Sequence, residues 1–406
     1  MLSKQMTVGA PHSVVLLEGV RHVVLMAVPE GGASLREQAE ECLHAVRESL
    51  AKYSPPSTVL AQTVFLKDAG DRAACQDIFA AHFGPDLPVT TYVMQPPCNG
   101  AALGIETWAV AREPARIVRQ LPHIVSVSYN DVTWTHCGGI VPETPARGVY
   151  ERSLSAFTKM RSLVDKSSAG FDHTMRTWLY LGDIVGPEGE TQRYKELNRA
   201  RTDFYLDVPF GRAHRMKGLK HGMYPASTGI GMGTSDLAMS GLVMDTTRKD
   251  VFLLPLENPQ QTPAYEYHAR HSPQSPKFCR AMALSCGNYA TIMISGTASI
   301  TNAETRHDGD VVAQTHETLD NIAALISEQN LAGHGLPGLG TTLEGLAVVR
   351  VYVKNAADYP AVREAVLARL GEMPTIYAIG DVCRPDLLVE IEGIAFSRKA
   401  DAAGPA

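Results

Sequence analysis

The pattern of apolar and polar residues repeats along the chain. Residues 63–84, TVFLKDAGDRAACQDIFAAHFG, align without a gap with residues 350–371, RVYVKNAADYPAVREAVLARLG. Each segment begins with a strand-like apolar run, crosses a short polar loop, continues with apolar residues at helical spacing and stops at a glycine, Gly84 or Gly371. The pattern therefore predicts a strand, a helix and a glycine stop in both segments.

The match continues on both sides of these segments. Downstream, PVTTYVMQPPCNGAALGIETWAV faces PTIYAIGDVCRPDLLVEIEGIAF, with Cys98 opposite Cys383 and, after one-residue slips, Glu106 opposite Glu392. Upstream, two segments share residues spaced as on one helix face, namely Gln38, Leu43, Val46 and Leu50 in the first and Gln314, Leu319, Ile322 and Ile326 in the second. The chain therefore contains two copies of one unit built from strands and helices.

A more divergent third copy is predicted between these two. It comprises a strand pair in VTWTHCGGIVPE, a helix near Ser153 to Leu163, the strand MRTWLYLGD, the helix TQRYKELNRARTDFY and strands after YPASTGIG. Tyr180 and Asp183 of this copy stand where Phe65 and Asp68 stand in the first copy. The middle of the chain is therefore expected to have the same architecture as its two ends.

Strands and helices in the same order three times predict an α+β fold of three tandem units, each a sheet covered on one face by two helices. We expect the other faces to meet around a shared axis, as an intrachain pseudo-trimer. The predicted units are residues 1–112, 113–255 and 256–396, and residues 397–406, SRKADAAGPA, are predicted to be a disordered tail.

The composition narrows the class of protein. Of 406 residues, 45% are hydrophobic, which lets each unit bury a core and excludes general disorder. Lys and Arg number 37 against 43 Asp and Glu, and this net charge of -6 argues against binding nucleic acid or an anionic membrane over the whole surface. The seven cysteines are scattered without a CxxC pair, so we expect reduced thiols. Without a signal peptide or a long apolar run, a soluble cytoplasmic protein is expected.

Segments of the last unit resemble the RidA/YjgF superfamily in order and spacing. They are ISGTASI, AQTHETLDNIAALI, VVRVYVKNAADYPAVREAV and CRPDLLVEIEGIA, and the resemblance covers residues 291–395. It implies that each unit corresponds to one subunit of a homotrimer with ligand sites in the clefts between subunits. Residues 14–396, including YPASTGIG, SPKFCRA and CRPDLLVEIEG, further resemble the chorismatases, enzymes that remove pyruvate from chorismate.

Glu390 and Glu392, in LLVEIEG, share one face of a predicted strand, because successive side chains alternate. If this face lines a dry cleft, burial and the like charge raise the pKa of one carboxyl, which can then deliver a proton near neutral pH. The spacing also fits a strand with one solvated face. The resemblance to chorismatases implies that Glu390 is the catalytic acid, which protonates the methylene carbon of an enolpyruvyl ether.

The first copy lacks both charged groups of the third. It has Asn99 and Gly104 where the third copy has Arg384 and Glu390. A cleft built on the first copy can therefore neither bind an anion in this way nor protonate it. We expect one working site in the chain, between the middle and third units.

Arginines are the candidates for binding carboxylates, because a planar guanidinium holds a carboxylate through two hydrogen bonds. Arg384 lies in a turn before a predicted strand, at the position that the resemblance to RidA-like proteins implies for carboxylate binding. Arg280, in SPKFCRAM, is a second candidate and Lys277 a weaker third. From the basic stretch Arg193 to His221 we select Arg201 alone, since the other charges fit a solvated helix face and loop.

Residues 224–233, YPASTGIGMG, combine hydroxyl groups with glycines that allow the backbone to approach a ligand closely. The segment lacks the glycine spacing and the later acidic residue of a dinucleotide-binding motif. We expect Tyr224, Ser227 and Thr228 to donate hydrogen bonds to substrate oxygens and Gly229 to offer its backbone amide. A tight loop before a strand is the alternative.

Gly296 and Cys383 are predicted to shape the pocket. Cys98 repeats Cys383 in the copy without a site, and no histidine stands in a partner motif, so Cys383 is expected to pack and not to act as a nucleophile. The resemblance implies that Cys with Gly accompanies formation of 3-hydroxybenzoate, whereas Val with Ala accompanies hydrolysis. The missing methyl group of Gly296 gives the ring room to turn, so that its own hydroxyl intercepts the developing cation.

With these features, the resemblance to chorismatases implies a cofactor-independent and metal-free enzyme that converts chorismate to 3-hydroxybenzoate, with some 4-hydroxybenzoate, and pyruvate. The alternatives are a hydrolase that forms 3,4-dihydroxycyclohexa-1,5-diene carboxylate, a RidA-type imine or enamine hydrolase, and a non-catalytic binding module. We expect neither nucleic acid nor membrane as a partner. Three units in one chain complete the trimer internally, which favours a monomer, with a dimer through exposed sheet edges as the alternative.

Overall fold

The computed structural model of the protein describes residues 2–143, 148–167, 169–211, 223–268 and 274–400. In this part of the chain, no helix is both long and apolar enough to cross a membrane.

The first unit is a six-stranded sheet in the order β1-β2-β3-β6-β4-β5, in which only β4 and β5 run parallel. Helix α1 begins at a capping box, because the Ser34 hydroxyl accepts from the Glu37 amide while the Glu37 carboxylate accepts from the Ser34 amide. The elements are β1 Leu2–Gln5, β2 His12–Leu17, β3 Val20–Ala27, α1 Leu35–Ala51, β4 Ser57–Leu66, α2 Arg72–Phe83, β5 Val89–Val93 and β6 Leu103–Ala111.

The middle unit is a second six-stranded sheet, in the order β13-β10-β14-β9-β8-β7, with a small two-stranded ribbon β11-β12. Its elements are β7 Arg116–Gln120, β8 Ile124–Tyr129, β9 Val132–Ile140, α3 Val149–Val164, β10 Thr174–Gly182, β11 Pro187–Glu188, β12 Thr191–Gln192, α4 Arg193–Tyr205, β13 Ala226–Met232 and β14 Leu237–Thr246.

The third unit is a six-stranded sheet in the order β15-β16-β17-β22-β20-β21, with the ribbon β18-β19. Its elements are β15 Val251–Leu256, β16 Ala281–Cys286, β17 Tyr289–Ala298, β18 Ile300–Thr301, β19 Glu304–Thr305, α5 Val311–Ile326, α6 Glu328–Gly333, β20 Leu346–Val353, α7 Tyr359–Leu370, β21 Thr375–Ile379 and β22 Val389–Arg398.

The three large sheets share one topology. Numbered along the chain, the six main strands of each unit lie in the order first, second, third, sixth, fourth, fifth, with one long helix after the third strand and another after the fourth. The predicted α+β fold of three tandem units is therefore confirmed. The predicted glycine stops are also present, since α2 and α7 end at Gly84 and Gly371, both with positive φ.

One predicted element is wrong. The segment VTWTHCGGIVPE was expected to form two strands, but it contributes the single strand β9, Val132–Ile140. Its glycine pair does not reverse the chain. Instead, the pairing register with β14 shifts between Met239 and Gly241, opposite Cys137 and Ile140, and Gly139 takes a positive φ of 63° within this bulge.

The end of the third unit is more ordered than predicted. Strand β22 continues through Arg398, and the Ser397 hydroxyl donates to the Leu339 carbonyl at 2.6 Å. Residues 397 and 398 are therefore part of the sheet and do not belong to a disordered tail. The predicted tail beyond residue 400 lies outside the described residues. The predicted boundary after residue 112 stays a prediction, and the boundary predicted after residue 255 falls within β15, Val251–Leu256, which pairs with β16 in the third sheet.

The sheet faces that are not covered by helices meet at the centre of the molecule. There the Arg350 guanidinium of the third unit donates to both Glu106 carboxylate oxygens of the first unit, at 2.6 and 2.7 Å, and to the Tyr180 hydroxyl of the middle unit at 2.8 Å. Side chains from all three units thus share one buried polar network around the predicted axis.

Candidate active site

A cavity of about 560 Å³ lies between the middle and third units. The middle unit contributes residues of α4 and β13, and the third unit contributes β17, the start of β22 and the loops before β16 and β22. Eight of the ten residues predicted for the site line this cavity, namely Arg201, Ser227, Gly229, Arg280, Gly296, Cys383, Arg384 and Glu390.

Strand β13 joins the two units along one wall of the cavity. The Ser227 amide donates to the Ser295 hydroxyl at 2.9 Å, and the Gly296 amide donates to the Thr228 hydroxyl at 2.9 Å. Farther along, the Gly231 amide donates to the Asp381 carbonyl at 2.8 Å. Because these bonds satisfy buried main-chain groups of both units, the wall holds a fixed geometry.

Glu390 is the acid of the cavity. It lies on β22, is only 4% exposed and pairs with Ala298 on one side and Tyr352 on the other. Burial, and then the negative charge of Glu392, raise the pKa of its carboxyl to about 8. At neutral pH this group is therefore mostly a neutral carboxylic acid in contact with the cavity.

Glu392, two residues farther along β22, is held as a carboxylate. Burial acts to raise the pKa of this carboxyl, but the charges of Arg350 and Arg176, with further hydrogen bonds, outweigh burial and leave the pKa below its ordinary value. Its hydrogen-bond donors are Arg176, the Trp178 indole at 2.8 Å, Thr228 at 2.6 Å, Arg350 at 3.2 Å and Tyr352 at 2.6 Å. Of the two glutamates, Glu390 is therefore the neutral acid and Glu392 the permanently ionised carboxylate.

The pairing registers identify the positions equivalent to Glu390 in the other units. The third-unit pair Tyr352–Glu390 corresponds to Phe65–Gly104 in the first unit and to Tyr180–Ala238 in the middle unit. Only one of three equivalent positions therefore carries a carboxyl group. At Gly104 a Cβ atom would lie 2.8 Å from the Ile376 side chain, so a larger residue there would require that side chain to move.

Three guanidinium groups line the cavity, and none of them has a carboxylate partner in the part of the chain that the structure describes. Arg201 donates to Ser227 at 3.2 Å and Asn198 at 2.5 Å, Arg280 to the Thr262 carbonyl at 2.9 Å and the Tyr267 hydroxyl at 2.6 Å, and Arg384 to the Ala303 carbonyl at 2.9 Å. The buried Nε atoms of Arg201 and Arg280 have no hydrogen-bond partner among the residues that the structure describes. Buried charges are stable only when paired, so this arrangement fits an anionic ligand with more than one acid group.

The structure does not bring Thr228 into the cavity. Ser227 and Gly229 line it, whereas alternation along β13 turns Thr228 to the opposite face. There the Thr228 hydroxyl donates to Glu392 and accepts from the Gly296 amide. The predicted hydrogen bond from Thr228 to substrate does not fit this position.

Tyr224 also lies outside the cavity lining. Its ring stacks on Tyr205 at 6.3 Å between centroids and contacts Tyr265 at 5.7 Å. Lys277, the weaker candidate, donates to the Ser275 hydroxyl at 2.9 Å and is not part of the lining either. These two side chains border the site without facing the cavity.

Gly296 and Cys383 both lie beside the acid. A Cβ atom at Gly296 would lie 2.0 Å from Glu390 Oε1, so the missing methyl group makes room for the Glu390 carboxyl, whereas the sequence suggested room for the ring. Burial and the nearby Glu390 raise the pKa of the Cys383 thiol to about 12, which keeps the thiol protonated.

Sequence reasoning missed several lining residues. Tyr194 and Asn198 stand seven and three positions before Arg201 on α4, and this spacing puts all three on one helix face. Once Arg201 was selected, helical spacing could therefore have identified the other two. Tyr267 and Phe278 gave no comparable signal. Within the described residues, no group of three or more His, Cys, Asp or Glu side chains could hold a metal ion.

Fold and cavity together define a protein of three fused α+β units whose cavity holds one buried acid and three guanidinium groups without a carboxylate partner in the described parts of the chain, an arrangement that fits a small acidic ligand. The chain is 35% identical to a 3-hydroxybenzoate synthase of Streptomyces hygroscopicus over 272 residues, 65% of this chain and 74% of that protein. It is 31% identical to a chorismatase of Streptomyces rapamycinicus over 278 residues, 66% of this chain and 78% of that protein. The chain belongs to the chorismatase family.

A solved crystal structure of a chorismatase has the same fold. It superposes with a TM-score of 0.64 at 22% identity and covers 92% of this chain and 98% of that chain. No protein-family model matches the sequence.

Proposed function

We propose that the protein converts chorismate to 3-hydroxybenzoate and pyruvate, with Glu390 as the general acid. The observation that carries this proposal is a neutral carboxylic acid, with a pKa of about 8, in a cavity lined by three guanidinium groups for which the described residues supply no carboxylate. Chorismate has two carboxylates and an acid-labile enol ether, so it needs both features. Relatives named 3-hydroxybenzoate synthase and chorismatase support the same substrate and the phenolic product.

The first step is protonation of the substrate by Glu390. The carboxylic acid delivers its proton to the methylene carbon of the enolpyruvyl group, which turns the ether carbon into an oxocarbenium centre. This weakens the bond between the ether oxygen and the ring, and pyruvate leaves with that oxygen. Glu390 is then a carboxylate, which electrostatically favours the positive charge that develops on the ring.

The second step closes the ring hydroxyl onto the carbon that lost pyruvate. The hydroxyl oxygen attacks this carbon, its proton returns to the Glu390 carboxylate, and the resulting arene oxide opens to the phenol. The two products contain all the atoms of chorismate, so neither water nor an oxidant is consumed. Opening in the other direction gives some 4-hydroxybenzoate.

Arg384, Arg280 and Arg201 hold the two carboxylates, and Ser227 and the Gly229 amide orient the remaining oxygens in this proposal. Gly296 and Cys383 shape the wall around Glu390. The bond from Arg201 to Ser227 orders both groups before the substrate arrives, which limits the entropy lost on binding.

Purified protein and chorismate test the proposal directly. Pyruvate is measured with a coupled dehydrogenase, and the ring product is identified by its absorbance and mass. We expect equimolar pyruvate and 3-hydroxybenzoate from the wild type, and a loss of about 10²- to 10⁴-fold in kcat for Glu390→Gln with ligand binding retained. A diene product would favour the hydrolase, and turnover of imines with inert chorismate would favour the RidA-type hydrolase; either result overturns the proposal.

We also propose that the protein acts as a cytoplasmic monomer, without nucleic acid or membrane. All seven cysteines are free thiols, which fits a reducing compartment, and three units already surround the central network. Sedimentation equilibrium tests the monomer, and a species of twice the chain mass at micromolar concentration would contradict it.

A further inference from the structure

The three guanidinium groups of the cavity are interleaved with two aromatic rings. The Tyr267 ring lies between Arg384 and Arg280, whose guanidinium carbons are 5.5 and 5.6 Å from its centroid. The Phe278 ring lies between Arg280 and Arg201, at 5.5 and 5.4 Å. Together these residues form a row, Arg384–Tyr267–Arg280–Phe278–Arg201, which we call the cation–ring row.

The rings stabilise a set of charges that would otherwise repel one another. None of the three guanidinium groups has a carboxylate partner among the described residues, whereas each lies within 6 Å of a negative ring face. Because each ring contacts two guanidinium groups, it also fixes the distance between them. Tyr267 adds a hydrogen bond from Arg280 to its hydroxyl at 2.6 Å.

The two ends of the row have different hydrogen-bonding surroundings. Arg201 is anchored to Ser227 and Asn198 of the middle unit, whereas Arg384 is anchored to the Ala303 carbonyl of the third unit. A ligand that engages both ends therefore needs two anionic groups held far enough apart to reach Arg201 and Arg384. A ligand with one anionic group leaves one end of the row uncompensated.

We infer that Tyr267 and Phe278 are specificity-determining residues, which hold two carboxylate subsites apart and so select rigid cyclic dicarboxylates over monocarboxylates. This inference rests on the proposed function for the location of the substrate, but it concerns residues that neither deliver a proton nor pair with a carboxylate. Its consequence is measurable in binding alone, without turnover.

The test compares two inert ligands by calorimetry. The dicarboxylate 3-(carboxymethoxy)benzoate carries its acid groups as chorismate does but has no enol ether, and 3-methoxybenzoate lacks the second acid group. We expect the wild type to prefer the dicarboxylate by about 100-fold, from charge-assisted hydrogen bonds to the second carboxylate. Phe278→Leu and Tyr267→Leu should each reduce this preference by about 10-fold while changing the affinity for 3-methoxybenzoate by less than about threefold.

A matched control removes a ring under a guanidinium outside the cavity. In Tyr289→Leu the lost ring lies 5.4 Å from the Arg398 guanidinium carbon, and the preference should stay at the wild-type value. With chorismate, the ring variants should raise KM and leave the pH dependence of kcat unchanged, because Glu390 is not altered. Phe278 is more deeply buried than Tyr267, which is only half-buried. If Phe278→Leu does not fold, the Tyr267→Leu variant still measures the effect of removing a ring.

The possible outcomes separate the inference from the proposed function. If the wild type releases pyruvate and the ring variants keep its preference, or lose affinity for both ligands equally, the rings do not determine specificity and the inference is wrong. If the wild type binds neither ligand and leaves chorismate intact, the proposed function fails as well.

Discussion

Replacing Thr228 by valine tests whether this hydroxyl joins the two units that form the cavity. Thr228 is fully buried, and its Oγ1 donates to Glu392 at 2.6 Å while accepting from Arg176 at 2.5 Å and from the Gly296 amide at 2.9 Å. Valine keeps the shape of threonine and removes all three hydrogen bonds.

The loss of stability depends on which hydrogen bonds the three partners of the Thr228 hydroxyl retain. Arg176 and Glu392 still contact each other, whereas the Gly296 amide loses its hydrogen-bond acceptor inside the protein. An orphaned buried amide costs about 1–3 kcal/mol, and each lost bond to a charged group adds to this. We therefore expect Thr228→Val to lower the free energy of unfolding by about 3 kcal/mol, and Thr228→Ser, which keeps the hydroxyl, by about 1 kcal/mol.

Urea unfolding followed by circular dichroism measures both values. Thr315→Val is the matched control, because Thr315 is equally buried but its hydroxyl donates only to the Val311 carbonyl of its own helix, at 2.8 Å; we expect less than about 1 kcal/mol there. Equal losses for the valine and serine variants at position 228 would refute the reasoning, since the hydroxyl would then contribute nothing.

Further outcomes are expected for pH and for one glycine. Pyruvate release should fall as pH rises through about 8, where the Glu390 acid becomes a carboxylate, and a rate that is flat from pH 6 to 10 would contradict this role. Burial lowers the pKa of His22 to about 3 and that of His136 to about 4, below the unfolded value of about 6.5, so only the unfolded chain gains these protons. These histidines therefore lower the free energy of unfolding as pH falls below about 6.5, whereas the raised pKa of Glu390 acts in the opposite direction over the same range. The wild type should lose stability relative to His22→Gln as pH falls from 7 to 5, and a difference that stays constant over this range would exclude the histidine linkage. Gly296→Ala should shift the Glu390 carboxyl and lower kcat by about 10-fold, whereas Gly333→Ala, with open space around it, should not; equal rates in a continuous pyruvate assay would disprove the steric reasoning.

The sequence predicted those features that depend on spacing within one segment. The repeat located the strand and helix ending at Gly84 and those ending at Gly371, and alternation along β22 put Glu390 and Glu392 on one buried face. The same alternation, applied to β13, would have removed Thr228 from the list of substrate donors. These errors and successes concern local geometry, which the chain specifies over a few residues.

Features that join distant segments could not be predicted in this way. Arg176 reaches Glu392 across 216 positions, and Phe278 fits between guanidinium groups from two units. In MRTWLYLGD, Arg176 looks like an ordinary polar residue of a strand, and nothing in the neighbouring residues reveals its partner. Such contacts depend on how the three sheets are brought together, which is a property of the whole fold.

The buried network around Arg350 has a consequence for how such a protein can evolve. In a trimer of identical subunits, every side chain at the axis occurs three times, so a carboxylate there brings two more of the same sign. Here Glu106 and Glu392 are balanced by Arg350 and Arg176, which occupy non-equivalent places in their sheets. Fusion into one polypeptide permits this asymmetry, so one cleft can carry an acid that the two equivalent positions, Gly104 and Ala238, lack.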